Sequence, residues 1–236
     1  MEPGRLIAKG RDADIFEFGD GLVLRKTRDG RSIEHEARIM RYAADHGYPV
    51  PEVHDVRADG SEIVMQRIDG PLMMEPMSKR PWTIPRYASL LADLHDQLHE
   101  IGAPDWLGQS SDGGDRLVHL DLHPLNVLLS AGGPVVIDWS NAARGEALSD
   151  VALTYVLLTC PRMPGPRPLQ IAAQPARVGL ARLFARRYQG RGLTEHIAVA
   201  ADLKTLDRHM MPDEIANLHR LAHRMRRKAR LDPAPS

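Results

Sequence analysis

The chain has 236 residues, enough for one large or two small domains with a sizeable core. Lysine plus arginine and aspartate plus glutamate each number 31, so the formal charge is zero and nothing overall pulls the chain toward nucleic acid or an anionic membrane. The single cysteine, Cys160, excludes an intrachain disulfide and reads as a small buried hydrophobe. Met1-Glu2-Pro3-Gly4 has no signal-peptide apolar core behind it. The most lipid-like run, Val151 to Cys160, falls short of the roughly 20 residues that span a bilayer. The expectation is a cytoplasmic protein without a membrane partner.

Residues 5–27 predict strands with tight turns. Arg5 to Lys9 is the first and Asp14 to Phe18 the second. Gly19-Asp20-Gly21 then leads to Leu22 to Thr27, since Asp-Gly between alternating runs is a hairpin signal. Period-two alternation on the third strand puts Val23 and Arg25 on one face, Leu24 and Lys26 on the other. Residues 32–46 predict a helix, with Ser32 as N-cap and Ile33, Ala37, Met40 and Ala44 at helical spacing. Pro49-Val50-Pro51 forces extended chain. Strands follow at Glu52 to Val56 and Glu62 to Gln66, turned at Asp59-Gly60.

Residues 71–84, rich in Pro and Met, predict a loop with a short helical turn. Pro85 opens a helix to about Ile101, with an apolar stripe of Tyr87, Leu90, Leu91, Leu94, Leu98 and Ile101. Its His95-Asp96-Gln97-Leu98-His99 imitates a zinc-protease motif. Asp is a carbon shorter than the required Glu and no third ligand follows, so both histidines read as partly buried polar residues flanking the stripe. Gly102 to Asp115 is a polar loop. Beyond it, residues 167–189 and 194–230 predict amphipathic helices parted by Gly190-Arg191-Gly192, and Asp232 to Ser236 should be disordered. From residue 177 on, Lys and Arg outnumber Asp and Glu more than twofold. That excess reads first as a solvated helical face, and otherwise as a site for an anionic group or nucleic acid.

The stretch that organises the rest is Leu117 to Ser140. Two apolar runs, Val127-Leu128-Leu129 and Val135-Val136-Ile137, flank Ser130-Ala131-Gly132-Gly133-Pro134, a hairpin turn. A hairpin brings Asp121, Asn126 and Asp138 to one end of the paired strands. Such hard oxygen donors suit Mg²⁺, which takes carboxylate and amide oxygens together with substrate phosphates. His119-Leu120-Asp121-Leu122-His123-Pro124-Leu125-Asn126 has the spacing of a kinase catalytic loop, and Ile137-Asp138-Trp139 supplies the aspartate after the next strand. In these two motifs the chain resembles the aminoglycoside phosphotransferase (APH)-like small-molecule kinases, over nearly its whole length.

The resemblance implies a two-lobed, protein-kinase-like α+β fold. Residues 1–68 would be a nucleotide-binding lobe, an antiparallel sheet with one helix; residues 69–236 would be a mainly helical catalytic and substrate lobe. ATP and Mg²⁺ would be the cofactors. Asp121 would accept the proton of a substrate hydroxyl, and Asn126 and Asp138 would hold the metal. Arg25, at the register of the family's lysine, would grip the phosphates, paired with Glu36; Lys26 is the alternative. The turn Gly10-Arg11-Asp12-Ala13 would cover the phosphates. The connector Gln66-Arg67-Ile68-Asp69-Gly70 would read the adenine edge, at Gln66 and Ile68, with Met65 behind it. His119 and His123 would brace the loop, and Asp150 would pin its backbone or simply cap a helix.

The implied activity is transfer of the γ-phosphate to a hydroxyl of a small molecule. A nucleotide-binding pseudokinase or regulatory module is the alternative, given Arg25 and a glycine-poor first turn. A protein kinase fits less well. Only Trp139 to Ser149 separates Asp138 from Asp150, no Ala-Pro-Glu follows, and Leu120 replaces the usual arginine. The expected partner is a small hydroxyl compound; a nucleic-acid partner is not expected, and no oligomeric state is indicated.

Overall fold

A computed structural model describes residues 3–10, 12–160, 167–207 and 210–231. In chain order the strands are β1 (Leu6–Lys9), β2 (Ala13–Glu17), β3 (Leu22–Thr27), β4 (Val53–Arg57), β5 (Glu62–Gln66), β6 (Arg116–Val118), β7 (Val127–Ser130), β8 (Gly133–Val136) and β9 (Ala143–Gly145). The helices are α1 (Glu34–Asp45), α2 (Met74–Lys79), α3 (Ile84–His99), α4 (Ala147–Thr159), α5 (Arg167–Arg186), α6 (Leu193–Lys204) and α7 (Pro212–Leu231). They fall into two compact units, one of Met1–Met73 with Leu125–Ala142, the other of Met74–Pro124 with Ala143–Ser236.

The first unit carries an antiparallel sheet of five strands in the order β1-β2-β3-β5-β4. The β2–β3 turn works because Gly21 takes φ of 71°, a left-handed conformation that costs glycine little. Alternation along β5 gives each sheet face its own core. Val64 joins Phe18 and Leu24 on one side, and Ile63 joins Ile33 and Ala37 on the other. Helix α1 starts two residues later than expected. Ile33 occupies the N-cap position and offers no side-chain bond; Ser32, one residue before it, supplies a capping bond of the predicted kind, its hydroxyl accepting from the Glu34 amide at 3.3 Å. The buried stripe is Glu36, Ala37, Ile39, Met40 and Ala43, so Ala44 faces solvent. The true face is turned by about one residue from the predicted one.

The β7–β8 hairpin belongs to this unit, in the register Val127↔Val136 to Ser130↔Gly133. Ser130 ties its turn, donating to Gly133 O at 2.9 Å and accepting from Gly132 N at 3.2 Å. Residues 70–73 run beside β7, with Leu129 N donating to Pro71 O at 2.9 Å and Met73 N to Val127 O at 2.8 Å. The approach is close at Gly70, where an added Cβ would lie 2.1 Å from Leu129 O. The extended prolines anchor the other strand, Pro49 O accepting from Val136 N at 2.8 Å.

In the second unit the predicted short turn is α2, and α3 carries the expected stripe. Leu91, Leu94, Leu98 and Ile101 are buried, as are Leu117, Leu122, Val151, Val156 and Phe184. Strands β6 and β9 pair antiparallel, Arg116↔Gly145 to Val118↔Ala143, a pairing that sequence patterning did not indicate. Helix α4 begins at Ala147 rather than after Asp150, with Glu146 as N-cap. The expected helix 194–230 is two helices, because Pro212 starts a new one as α7. Among the described residues, no helix is long and apolar enough to cross a membrane. Cys160 is partly buried, and burial pushes its thiol pKa up, so it is poorly suited to act as a nucleophile. The turn at Arg11 and the tail from Asp232 lie outside the described residues.

Candidate active site

In the first unit the β3 cation, the α1 glutamate and the aspartate after β8 meet. The Arg25 guanidinium pairs with Glu36, and the side chains are only 14% and 4% exposed. Its second terminal nitrogen lies 3.7 Å from Asp138 Oδ1. Alternation explains the choice of cation: Arg25 points inward, while Lys26 is half exposed and pairs with Glu62 at 2.9 Å. Burial pushes the Glu36 carboxyl above its ordinary pKa, with Arg25 opposing the shift and Asp138 adding to it. Glu36 Oε1 also accepts from Trp139 N at 3.2 Å; its Oε2 is buried with no hydrogen-bond partner among the described residues.

Asp138 takes φ of 66°, unusual for a residue with a side chain, and its carboxylate is 42% exposed. Ser140 Oγ donates to its Oδ1 at 2.9 Å. Trp139, fully buried, points the other way: its indole N–H donates to Val136 O at 3.2 Å and its ring meets Tyr48 edge-on at 5.6 Å. Asn126 and Asp138 lie at the same end of the hairpin, since Ile137 N donates to Asn126 O at 3.0 Å. An amide and a carboxylate are hard oxygen donors. Among the described residues no group of three or more His, Cys, Asp or Glu is placed to hold a metal. One amide and one carboxylate oxygen are donors of the kind that could hold Mg²⁺ together with phosphates and water. In the connector, Gln66 N donates to Glu52 O and Arg67 N to Gly21 O, both at 2.8 Å.

Asp121 belongs to the second unit. Its carboxylate is 25% exposed and lies 3.5 Å from His123 Nε2. His123, read from sequence as scaffolding, thus faces the candidate base; its position two residues on was the available signal. Leu120 takes φ of 58°. That backbone is held by Asp150, whose Oδ1 accepts from Leu120 N at 2.8 Å and Oδ2 from His119 N at 3.1 Å. His99 Nε2 reaches the same Oδ2 at 2.9 Å. Burial alone would raise the Asp150 pKa, but the His99 bond and neighbouring histidine charge take it well below the carboxylate range. Asp150 therefore pins the loop and is not a helix cap. His95 is fully buried, and desolvation lowers its pKa to about 4, so it is neutral at physiological pH.

The family model described as APH, phosphotransferase enzyme family, matches residues 3–113 and 75–183. The KEOPS complex subunit Bud32 of Pyrococcus abyssi is 29% identical over 157 residues, 66% of this chain. The chain spans 25% and 64% of the lengths of the curated relatives it matches. Among solved structures, the aminoglycoside phosphotransferase APH(4)-Ia, complexed with AMP-PNP and hygromycin B, superposes with a TM-score of 0.65 at 18% identity, over 94% of this chain and 92% of its own. A choline/ethanolamine kinase family protein from Mesorhizobium loti gives 0.60 at 19% identity, over 96% and 88%. At such identities these two likenesses speak for the two-lobed kinase-like fold.

Proposed function

We propose that this chain, which belongs to the APH phosphotransferase enzyme family, transfers the γ-phosphate of ATP to a hydroxyl group of a small molecule. Residues 1–68 would serve the nucleotide and residues 69–236 the chemistry and the acceptor. Arg25, oriented by Glu36, would hold the phosphates; Gln66 and Ile68 would meet the adenine edge. Asn126 and Asp138 would hold Mg²⁺, which when bound neutralises phosphate charge. Asp121 would take the hydroxyl proton as the oxygen attacks phosphorus and the bond to ADP breaks. An ordinary carboxylate is a weak base, with a pKa of about 4. That suffices because a loose phosphoryl transition state depends on positioning and charge neutralisation.

The observation that carries this reading is the meeting of Arg25, Glu36 and Asp138, from a strand, a helix and the end of a hairpin, in one cluster whose Arg25 and Glu36 side chains are buried. The test uses Asp121→Asn and Asp138→Asn with MgATP and a panel of hydroxyl metabolites, read by mass spectrometry. Asp121→Asn should abolish product and spare nucleotide binding; Asp138→Asn should weaken metal-dependent nucleotide binding as well. Near wild-type turnover in both would dismiss these roles. A second reading comes from the Bud32 relative, a complex subunit by its name. There the chain would turn over nucleotide within an assembly, and MgATP hydrolysis or self-phosphorylation with no small-molecule product would favour it.

A further inference from the structure

The turn between β1 and β2 brings two carboxylates, Asp12 and Asp14, to a place where phosphates are expected, and both are answered by arginines. Asp14 lies opposite Lys26 in the β2–β3 register, so the two share a sheet face, the one away from Arg25. Two residues past Lys26, Arg28 donates to Asp14 Oδ1 from Nε at 3.0 Å and from Nη2 at 2.5 Å. The same Nη2 donates to Gly10 O at 2.9 Å, and Arg28 N donates to Asp12 O at 3.1 Å. Arg31 Nη2 lies 3.2 Å from Asp12 Oδ2. The segment that carries both arginines is itself held: Thr27 Oγ1 donates to Arg31 O at 2.9 Å and Arg31 N to Asp29 Oδ1 at 3.2 Å. We propose that Arg28 and Arg31 are positioning residues for nucleotide binding. They strap the turn to the end of β3 and cancel the charge of the two aspartates it would bring beside the phosphates. This rests on the first unit holding a nucleotide.

The strap acts on ligand charge more than on fold stability. All four side chains are at least partly exposed, and exposed ion pairs add little to stability. Their field still reaches a ligand bound nearby. The Arg28 hydrogen bond holds the Asp14 carboxyl below its ordinary pKa, so Asp14 stays ionised and only a paired cation removes its repulsion. In water, a unit charge about 10 Å from MgATP, which carries about two net negative charges, shifts affinity roughly three- to five-fold. A glycine-rich turn meets phosphates with backbone alone. This turn has Gly10 as its single glycine and meets them with its side-chain charges already paired.

The experiment titrates MgATP and adenosine, by calorimetry at low salt, into the wild type, Arg28→Gln, Asp14→Asn and the double variant. Arg28→Gln should weaken MgATP binding about three- to five-fold and leave adenosine, which has no phosphate, unchanged. Asp14→Asn should tighten MgATP by a similar factor, because Arg28 is then uncompensated. The double variant should return to within about twofold of the wild type. Arg31→Gln and Asp12→Asn should form a second cycle of the same signs. Both sets of differences should shrink as salt rises. A strap with a merely structural role predicts the opposite sign: Asp14→Asn would weaken MgATP binding, and the double variant would be no better than Arg28→Gln. Either result would overturn the inference, as would wild-type MgATP affinity in Arg28→Gln. A wild type that does not bind MgATP at all would mean that the nucleotide reading itself has failed, and this inference with it.

Discussion

Removing the Arg25 side chain should expose how the first unit tolerates a buried carboxylate. In Arg25→Ala, Glu36, whose side chain is 4% exposed in the wild type, loses its counter-charge, with Asp138 still nearby. Breaking a buried pair by deleting one partner costs about 3–5 kcal/mol. For a chain of this size that corresponds to a fall in Tm of about 6–20 °C. The pH dependence has a definite sign. Burial already raises the Glu36 pKa, and Arg25 opposes that shift. Without Arg25 the folded pKa rises further, so the folded state binds the Glu36 proton more tightly than the unfolded chain does. The deficit should be smallest below the unfolded carboxyl pKa and grow as pH climbs through the folded value. Urea denaturation of Arg25→Ala against wild type should therefore show a larger loss at pH 8 than at pH 5. Glu36→Gln added to Arg25→Ala should restore much of the stability and remove the pH dependence, because a neutral amide needs no counter-ion. An equal loss at both pH values, or further loss on adding Glu36→Gln, would refute the reasoning.

Gly70→Ala should destabilise the protein by about 1–3 kcal/mol, because the new Cβ meets the Leu129 backbone, which cannot rotate away. A change under about 0.5 kcal/mol in urea denaturation would show that the β7 approach has slack. Polycationic aminoglycosides should be poorer acceptors than neutral or anionic sugars and alcohols, since α7 carries Arg220, Arg224, Arg226, Arg227, Lys228 and Arg230 with no acid after Glu214. Efficient kanamycin phosphorylation that weakens as salt rises, seen in kcat/KM at two ionic strengths, would contradict this.

Much of the first unit was legible because its signals are local. Alternation in β3 and β5, Asp20-Gly21, and Gly132-Gly133 each specify structure within a few residues. The cluster of Arg25, Glu36 and Asp138 was legible only through resemblance, since no local pattern relates a strand, a helix and a post-hairpin aspartate. The second unit was less readable where its determinants are distant or small. Strands β6 and β9 have three residues each, too few for a period. Helices α6 and α7 merged in prediction because the apolar periodicity runs on toward Pro212, whose place as a helix start was the missed signal. Thr154 looked like one more residue of an apolar helix, and its bond to Leu122 spans 32 positions.

Trp139 makes the proposed nucleotide site optically addressable. Its backbone touches Glu36, its neighbour is Asp138, and its indole is fully buried beside Tyr48. The chain's other tryptophans are Trp82, which is 76% exposed, and Trp106, which is half-buried. Replacing those two with phenylalanine would leave a single emitter in an apolar setting, with blue-shifted fluorescence. Any nucleotide or divalent ion that rearranges Asp138 would then register as a change in emission, so ligands can be ranked before any phosphate acceptor has been identified.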